Sequence, residues 1–255
     1  MYYSMIDNPI SGQFVFLDNF YKVLTNKAFL LALKNTFTFS FAAVPLVIVL
    51  SLGVAFLLDK QIPGKSKIRT AFLSPMMVPV ASVILIWQVL FHYNGLLNEL
   101  IQKLGSGKID WLKSGYAQIA IVVLFVWKNL GYNMVLFMAA LANIPREVIE
   151  VAQLESATKW QIFFHIKLRY LSSSLLFVTI LSLINSFKIF REVYLLTGDY
   201  PYETLYMLQH YMNNMFHSLD YQKLSAAAII MSLFMIVLIG ILFFAENVLG
   251  KDLDG

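Results

Sequence analysis

The sequence contains no cysteine and little charge, and both deficits restrict the classes of protein to which it can belong. Without cysteine it can form no disulfide, thiol nucleophile or thiolate metal site. Only 13% of its 255 residues are charged and 59% are hydrophobic, whereas a soluble globular domain carries about 25% charge. The composition therefore predicts an integral membrane protein. A net charge of +4 is too modest to indicate a nucleic-acid-binding protein.

Signals for targeting and catalysis are also missing. The first 30 residues lack a basic segment followed by an apolar core, so no cleaved signal peptide is predicted. Glycine, lysine and serine occur at 64–66, but Asp59 stands where a phosphate-binding loop requires glycine. The histidines are scattered, and no serine lies in a nucleophile elbow. We therefore predict no catalytic residue, no metal site and no cofactor bound by this chain.

Long apolar runs account for most of the chain. Five of them can cross a hydrocarbon layer about 30 Å thick as helices. They predict an all-α integral membrane protein, with an N-terminal segment at 1–35, a transmembrane domain at 36–245 and a C-terminal tail at 246–255. The predicted spans are 36–58, 71–91, 116–141, 171–187 and 225–245.

The polar stretch between the third and fourth spans, residues 142–170, has a helical pattern of its own. Pro145 fits a helix start, and apolar residues recur at helical spacing from Val148 to Leu154 among three glutamates. After a break at 156–158, a second amphipathic run begins near Trp160. Two short amphipathic helices at a membrane surface are suited to insertion into a groove of another protein.

This stretch resembles the EAA loop of the membrane subunits of binding-protein-dependent ABC importers. Three positions depart from the family pattern: Val151 replaces an alanine, Ser156 a glycine and Arg169 a proline. The matching residues are Ile144-Pro145, Glu147, Glu150-Val151-Ala152, Glu155, Ala157, Trp160-Gln161-Ile162-Phe163, Ile166 and Leu168.

The resemblance implies a type I ABC importer permease fold, with residues 142–170 as a cytoplasmic two-helix coupling loop. It also implies a plasma (inner) membrane location in bacteria and several partners. These are a second permease subunit in a heterodimer, two copies of a cytoplasmic ATPase that binds ATP and Mg²⁺, and an extracytoplasmic solute-binding protein. The expected ATPase-docking residues are Glu147, Glu150, Ala152, Glu155, Ser156 and Ala157.

Other segments resemble the carbohydrate-permease branch of this family. Phe16 replaces a family glycine before Asp18, and Asp199 replaces another after Gly198. The first helix common in the family has no counterpart, so either the protein has five spans or Met1 is an internal methionine of a longer reading frame. The resembling elements are 16–20, 29–36, 95–98, 127–134 and 197–204.

A polar seam crosses the third span around Lys128. A lysine at the bilayer centre costs roughly 2.5–3.5 kcal/mol, so it should face a cavity, a partner or the interface. The seam has two interpretations, a structural polar layer or a substrate pathway. The candidate pathway residues are Lys128, Asn129, Tyr132, Asn133, Asn185 and Lys188.

The positive charges agree with the orientation that the resemblance implies, in which the coupling loop is cytoplasmic. With that loop inside, the segment 1–35 is extracytoplasmic and the tail 246–255 is cytoplasmic. The inside segments then hold nine Lys/Arg in roughly 50 residues, and the outside segments hold nine in roughly 95. The expected function is import of sugars or oligosaccharides, with glycerol phosphate or polyamine as alternative cargo. A gradient-driven carrier would need ionisable residues in several spans, and an intramembrane enzyme would need paired acids or histidines there.

Overall fold

The computed structural model describes residues 2–8, 11–60 and 63–250, and its regular structure there is helical. Parts of the predicted N-terminal segment (1, 9 and 10), of the 59–69 loop (61 and 62) and of the tail (251–255) lie outside the described residues. The first six α-helices are α1 Asp18–Leu24, α2 Lys27–Asp59, α3 Lys65–Met77, α4 Val80–Phe91, α5 Leu96–Lys103 and α6 Ala117–Ala142.

The second half of the chain contains shorter helices around two long ones. They are α7 Arg146–Leu154, α8 Lys159–Gln161, a π-helix Ile162–Lys167, α9 Leu168–Tyr170, α10 Ser172–Phe187, α11 Phe190–Thr197, α12 Leu208–His217 and α13 Tyr221–Gly250. Short 3-10 helices occur at Tyr2–Met5 and Glu203–Leu205.

Among the described residues, five helical stretches are long and apolar enough to cross a membrane. The predicted all-α membrane fold is thereby confirmed. Two of the stretches combine consecutive helices, α4 with α5 and α10 with α11. The five are Lys27–Asp59, Val80–Lys103, Ala117–Ala142, Ser172–Thr197 and Tyr221–Asn247.

The predicted second span, 71–91, is not one continuous helix. Helix α3 ends at Met77 and α4 begins at Val80, with Val78 extended at φ −83° and ψ 134°. Proline disfavours the helical conformation of the residue before it, so Pro79 ends α3. Pro75 lies inside α3 and does not interrupt it. Helix α2 also starts earlier than predicted, because residues 27–35 of the predicted N-terminal segment are already helical.

The chain forms two compact units. Unit 1 comprises Met1–Ala43, Pro79–Phe125 and Asn185–Leu238, and unit 2 comprises Val44–Val78, Val126–Ile184 and Ile239–Gly255. The coupling loop lies wholly in unit 2.

Buried asparagine side chains fasten the loops of unit 1. The Asn19 amide donates to the carbonyls of Ser4 (3.1 Å) and Ile6 (2.8 Å). The Asn98 amide donates to Tyr93 (2.9 Å) and Ile109 (2.7 Å), and its oxygen accepts from the Ile109 N–H (3.0 Å). Each asparagine forms hydrogen bonds with backbone groups that are not paired within a helix. These motif residues therefore have a structural role.

Helix α2 fixes the linker before α12 in the same way. The Asn35 amide donates to the carbonyls of Glu203 (2.6 Å) and Tyr206 (3.0 Å). The Thr36 hydroxyl accepts from the Leu208 N–H at 2.9 Å. The 29–36 element therefore positions the 203–208 turn, which the Gln118 amide also holds through Thr204 at 2.9 Å.

Small residues let α13 approach the rest of unit 1. Ala226 and Ala227 are fully buried, whereas Ile236 and Val237 further along α13 are more than half exposed. Only 11% of the apolar window of α13 is buried within the chain.

Unit 2 has its own hydrophobic core. Within this unit the backbone of α6 lies very close to the backbone of α3. A Cβ on Gly131 of α6 would lie 1.9 Å from the Phe72 carbonyl oxygen, which no side chain can occupy. The core itself consists of Ala55, Leu58, Met134, Phe137, Leu141, Ile144, Leu171 and Val178.

Gly131→Ala is expected to separate α6 from α3 and lower stability by about 1–3 kcal/mol, as overpacking does. The measurement is the apparent melting temperature of the detergent-purified protein. Gly53→Ala is the matched control, since a Cβ there meets nothing within 4 Å, and alanine is the better helix former by up to about 1 kcal/mol. Equal melting temperatures for the two variants would contradict the close approach.

A buried histidine lies at the start of α12. Burial lowers the pKa of His210 from 6.5 to about 4, opposed by the negative charge of Asp199. Its Nδ1 accepts from the Met207 N–H at 3.1 Å, and the Phe190 ring lies 4.6 Å away, centroid to centroid. Among the described residues its Nε2 has no hydrogen-bond partner. The ring is therefore held neutral in the folded protein at neutral pH.

This burial predicts acid sensitivity. The unfolded chain binds a proton near pH 6.5 and the folded chain only near pH 4. The neutral His210 therefore makes its full contribution to the free energy of unfolding above pH 6.5. That contribution, up to about 3 kcal/mol, is lost as the pH falls towards 4. Melting temperature against pH checks this, and His210→Gln should flatten the profile. His217→Gln, at an exposed position on the same helix, should leave it unchanged.

Candidate functional site: the coupling loop

Both ends of the coupling loop are anchored in the core of unit 2. Ile144 at its start is 7% exposed, and Leu171 just after its end is fully buried. Between these anchors α7 buries none of its residues within the chain. The loop is thus a projection held at its two ends, and its first arm (α7) is only partly covered by the chain, through Ile149 against the core.

Helix α7 begins just after proline. Pro145 is the N-cap residue at φ −58° and ψ 131°, one position before the first helical residue, Arg146. Glu147 lies in the first turn, where the partial positive charge of the helix N-terminus stabilises a carboxylate by about 0.3–1 kcal/mol.

Helix α7 ends in a Schellman turn. Ser156 has φ +63°, the Ala157 N–H donates to the Ala152 carbonyl at 2.9 Å, and the Ser156 N–H donates to the Gln153 carbonyl at 3.1 Å. This 6→1 and 5→2 pattern normally places glycine at the left-handed position. Serine therefore adopts the conformation that the family glycine would favour, and the predicted weak break is a sharp turn.

The second arm of the loop, residues 158–170, starts with a capping box. The Gln161 N–H donates to the Thr158 hydroxyl at 3.3 Å, and the Thr158 N–H donates to the Gln161 side-chain oxygen at 2.7 Å. The helix then widens into the π-helix Ile162–Lys167. The π-helix contacts α2: the Phe163 and Phe56 ring centroids are 4.9 Å apart, and Lys167 Nζ lies 3.1 Å from Asp59 Oδ2.

Large apolar side chains of the loop project outward. Leu154 is 85% exposed and Trp160 72% exposed, and Trp160 stacks on the half-exposed Phe164 with centroids 5.9 Å apart. The predicted docking set does not include these residues, because their place in the apolar pattern indicated burial rather than an exposed contact surface.

The six predicted docking residues occupy α7 and the turn that follows. Ala152 and Ala157 are half-buried on either side of that turn. The four polar members, all exposed, are Glu147, Glu150, Glu155 and Ser156. Their docking role stays a prediction.

The predicted pathway residues do not form one cluster in either unit. Lys128, Asn129 and Tyr132 of unit 2 are half-buried, while in unit 1 Asn185 is half-buried and Lys188 is exposed. Asn133 is buried and its amide donates to the Ser182 hydroxyl at 2.8 Å, tying α6 to α10. For Asn133 this contact favours the structural interpretation.

Metal binding has no support in the part of the chain that the structure describes. There, no three histidine, aspartate or glutamate side chains lie close enough together to hold a metal ion.

The family follows from comparison with known proteins. The family model described as "binding-protein-dependent transport system inner membrane component" matches residues 36–254. The chain belongs to this family of inner membrane proteins, which confirms the resemblance drawn from its motifs.

The relatives of this chain include permease proteins of two transport systems. Permease protein MalF of the trehalose/maltose transport system of Thermococcus litoralis is 32% identical over 190 residues, which is 74% of this chain and 64% of that protein. Permease protein UgpA of the sn-glycerol-3-phosphate transport system of Yersinia enterocolitica is 28% identical over 237 residues, 92% of this chain and 80% of that protein. The match thus covers less than two thirds of MalF.

The solved structure is a bacterial ABC transporter involved in import of the acidic polysaccharide alginate. It superposes with a TM-score of 0.83 at 18% identity over 96% of this chain and 86% of that chain. This likeness confirms the fold.

Ser156→Gly should stabilise the Schellman turn, because a non-glycine residue in the left-handed region costs about 1–2 kcal/mol. Slower amide hydrogen exchange across residues 146–157 is the expected result. Ser156→Val, which is β-branched, should accelerate exchange in the same segment. Faster exchange in the glycine variant would contradict the assigned turn.

Proposed function

We propose that this chain is the membrane-spanning permease subunit of an ATP-driven ABC importer and forms half of its translocation pathway. The observation that carries the proposal is the coupling loop, which is anchored in the core at both ends but bears outward apolar side chains. Leu154 and Trp160 would remain in water without a partner, and exposed apolar patches of this kind mark interaction sites.

The partner of the loop is a cytoplasmic ATPase, present in two copies. The chain supplies no nucleotide-binding motif of its own, so ATP and Mg²⁺ bind to the ATPase. Ala152 and Ala157 present small side chains beside the turn and permit close approach of a groove. The exposed Glu150 pairs with a basic residue at the rim of that groove.

Transport needs the loop to bind the two states of the ATPase differently. Only a difference in contact free energy between those states can move the spans, since equal affinity for both would shift nothing. A second permease subunit completes the pathway, and an extracytoplasmic solute-binding protein delivers cargo, as the family's description implies.

The orientation of the loop is supported by an ion pair. Lys167 of the coupling loop contacts Asp59, where the basic 59–69 loop begins. The two loops therefore lie on the same side of the membrane, which agrees with the positive-inside expectation for a cytoplasmic face.

Sugars or oligosaccharides are the proposed cargo, supported by the trehalose/maltose relative and the carbohydrate-type elements. Glycerol phosphate is the alternative supported by the second relative. Uptake of radiolabelled maltose, trehalose and glycerol 3-phosphate by cells with and without the gene separates these two classes of cargo.

Glu150→Lys and Ala157→Trp should each reduce uptake at least about tenfold, the effect of losing about 1.4 kcal/mol of docking free energy. The lysine at position 150 repels the basic rim of the groove. The indole at position 157 is too large for the turn to enter the groove. The measurements are uptake rate, membrane expression and ATPase activity that co-purifies with a tag on this chain.

Glu99→Lys, an equivalent reversal at an exposed site on α5 in unit 1, is the control and should leave all three measurements intact. Full uptake by both loop variants would exclude the docking role. Absence of any co-purifying ATPase from the wild-type preparation would exclude the importer itself.

A further inference from the structure

The second arm of the coupling loop is fastened to α2 by three contacts that converge on one patch. Lys167 Nζ lies 3.1 Å from Asp59 Oδ2, and it also lies 5.5 Å from the centroid of the Phe56 ring. The other contact joins Phe163 to the same ring at 4.9 Å with an interplanar angle of 56°. Four side chains from two distant parts of the sequence thus form a single cluster, here called the α2 clasp: Phe56, Asp59, Phe163 and Lys167.

The clasp is partly shielded from water. The side chains of Lys167 and Asp59 are 22% and 38% exposed, so their attraction is screened less by salt than that of a fully exposed pair. The ammonium group is held both by a carboxylate and by an aromatic face. This geometry restrains the direction of the lysine side chain more than a carboxylate alone would.

Two of the clasp residues belong to the π-helix. Phe163 and Lys167 lie in the π-helix Ile162–Lys167 and both contact Phe56. π-Helical turns are rare and are frequently found at functional sites. On α2, Phe56 and Asp59 are three residues apart, so they share one helix face.

The two arms of the loop therefore differ in how they are held. Helix α7 buries no residue within the chain, whereas the second arm is attached to α2 and also continues through the buried Leu171 into α10. A displacement of the loop reaches α6 and α10 through the covalent chain at its two ends, and the clasp adds a third route, to α2.

We propose that Asp59 and Lys167 are positioning residues that make the second arm and the end of α2 move as one body, so that α2 follows the coupling loop. The inference deepens the proposed function and rests on it for the consequence in transport. The clasp itself is a property of this chain. Ion pairs of this exposure contribute little to stability, so its loss should alter the direction of movement more than the melting temperature.

The natural absence of cysteine allows a direct test with spin labels. Leu57→Cys on α2 and Lys159→Cys on α8 are exposed attachment sites on the two sides of the clasp. In the assembled importer, pulsed electron-spin distance measurements should give one narrow distribution, unchanged between the nucleotide-free state and ATP with vanadate. Adding Lys167→Met should broaden that distribution and make it depend on nucleotide.

A charge exchange separates the clasp from a simple loss of folding. Asp59→Lys combined with Lys167→Asp re-forms the ion pair with reversed polarity but without the contact of the ammonium group with Phe56. It should narrow the distribution relative to each single change. Lys22→Met, which removes the exposed Asp18–Lys22 ion pair on α1, is the matched control and should have no effect. Identical distributions in the parent and in Lys167→Met would overturn the proposal. A large fall in the melting temperature of Lys167→Met that the charge exchange does not reverse would also overturn it.

The consequence for transport is measured in the same variants. Lys167→Met should lower the ratio of solute transported to ATP hydrolysed by about fivefold, the lower end of allosteric couplings. The probes are maltose and glycerol 3-phosphate. If the wild type transports neither and recruits no ATPase, the proposed function fails, while the distance measurement on the chain alone still tests the clasp.

Discussion

Inside a bilayer no water is available to backbone N–H and C=O groups, so every one of them must be satisfied by the protein. Helix α2 meets this requirement over 33 residues with its own ladder of hydrogen bonds. Where the backbone leaves helical geometry, side chains take over. The amides of Asn35 and Asn98 bind carbonyls of irregular segments that lie between helices. At Asn35 and Asn98, the polar side chains thus serve backbone groups of the protein.

At two sites where this chain lacks a glycine of the family pattern, its backbone still has the left-handed conformation that glycine favours. Phe16 and Ser156 both stand where the family resemblance places glycine, and they have φ values of +49° and +63°. Left-handed geometry is inexpensive for glycine and costly for other residues. Each turn must therefore be imposed by its surroundings. At Ser156 two backbone hydrogen bonds of the Schellman turn do so.

Local patterns were sufficient to predict much of this molecule. Apolar runs gave the five membrane-crossing stretches, and helical spacing gave both arms of the coupling loop. The break at Pro79 was not predicted, because the sequence does not show whether a proline kinks a span or ends a helix. The π-helix and the pairing of Asp59 with Lys167, 108 positions apart, depend on tertiary contacts that no single-sequence pattern encodes. The same limitation applies to Asn133, whose partner Ser182 is identified only by the fold.

The burial pattern of α13 indicates which of its positions tolerate substitution. Only a small share of its apolar window is buried within the chain, and its fully buried residues are Ala226 and Ala227. Lipid tails are as apolar as leucine, so apolar packing gives no hydrophobic gain there, and association depends on small residues that let backbones meet. The exposed positions of α13, such as Ile236 and Val237, can exchange one aliphatic or aromatic side chain for another without disturbing the packing of this chain. Among homologues, that part of the helix should diverge rapidly in sequence while the two alanines remain small.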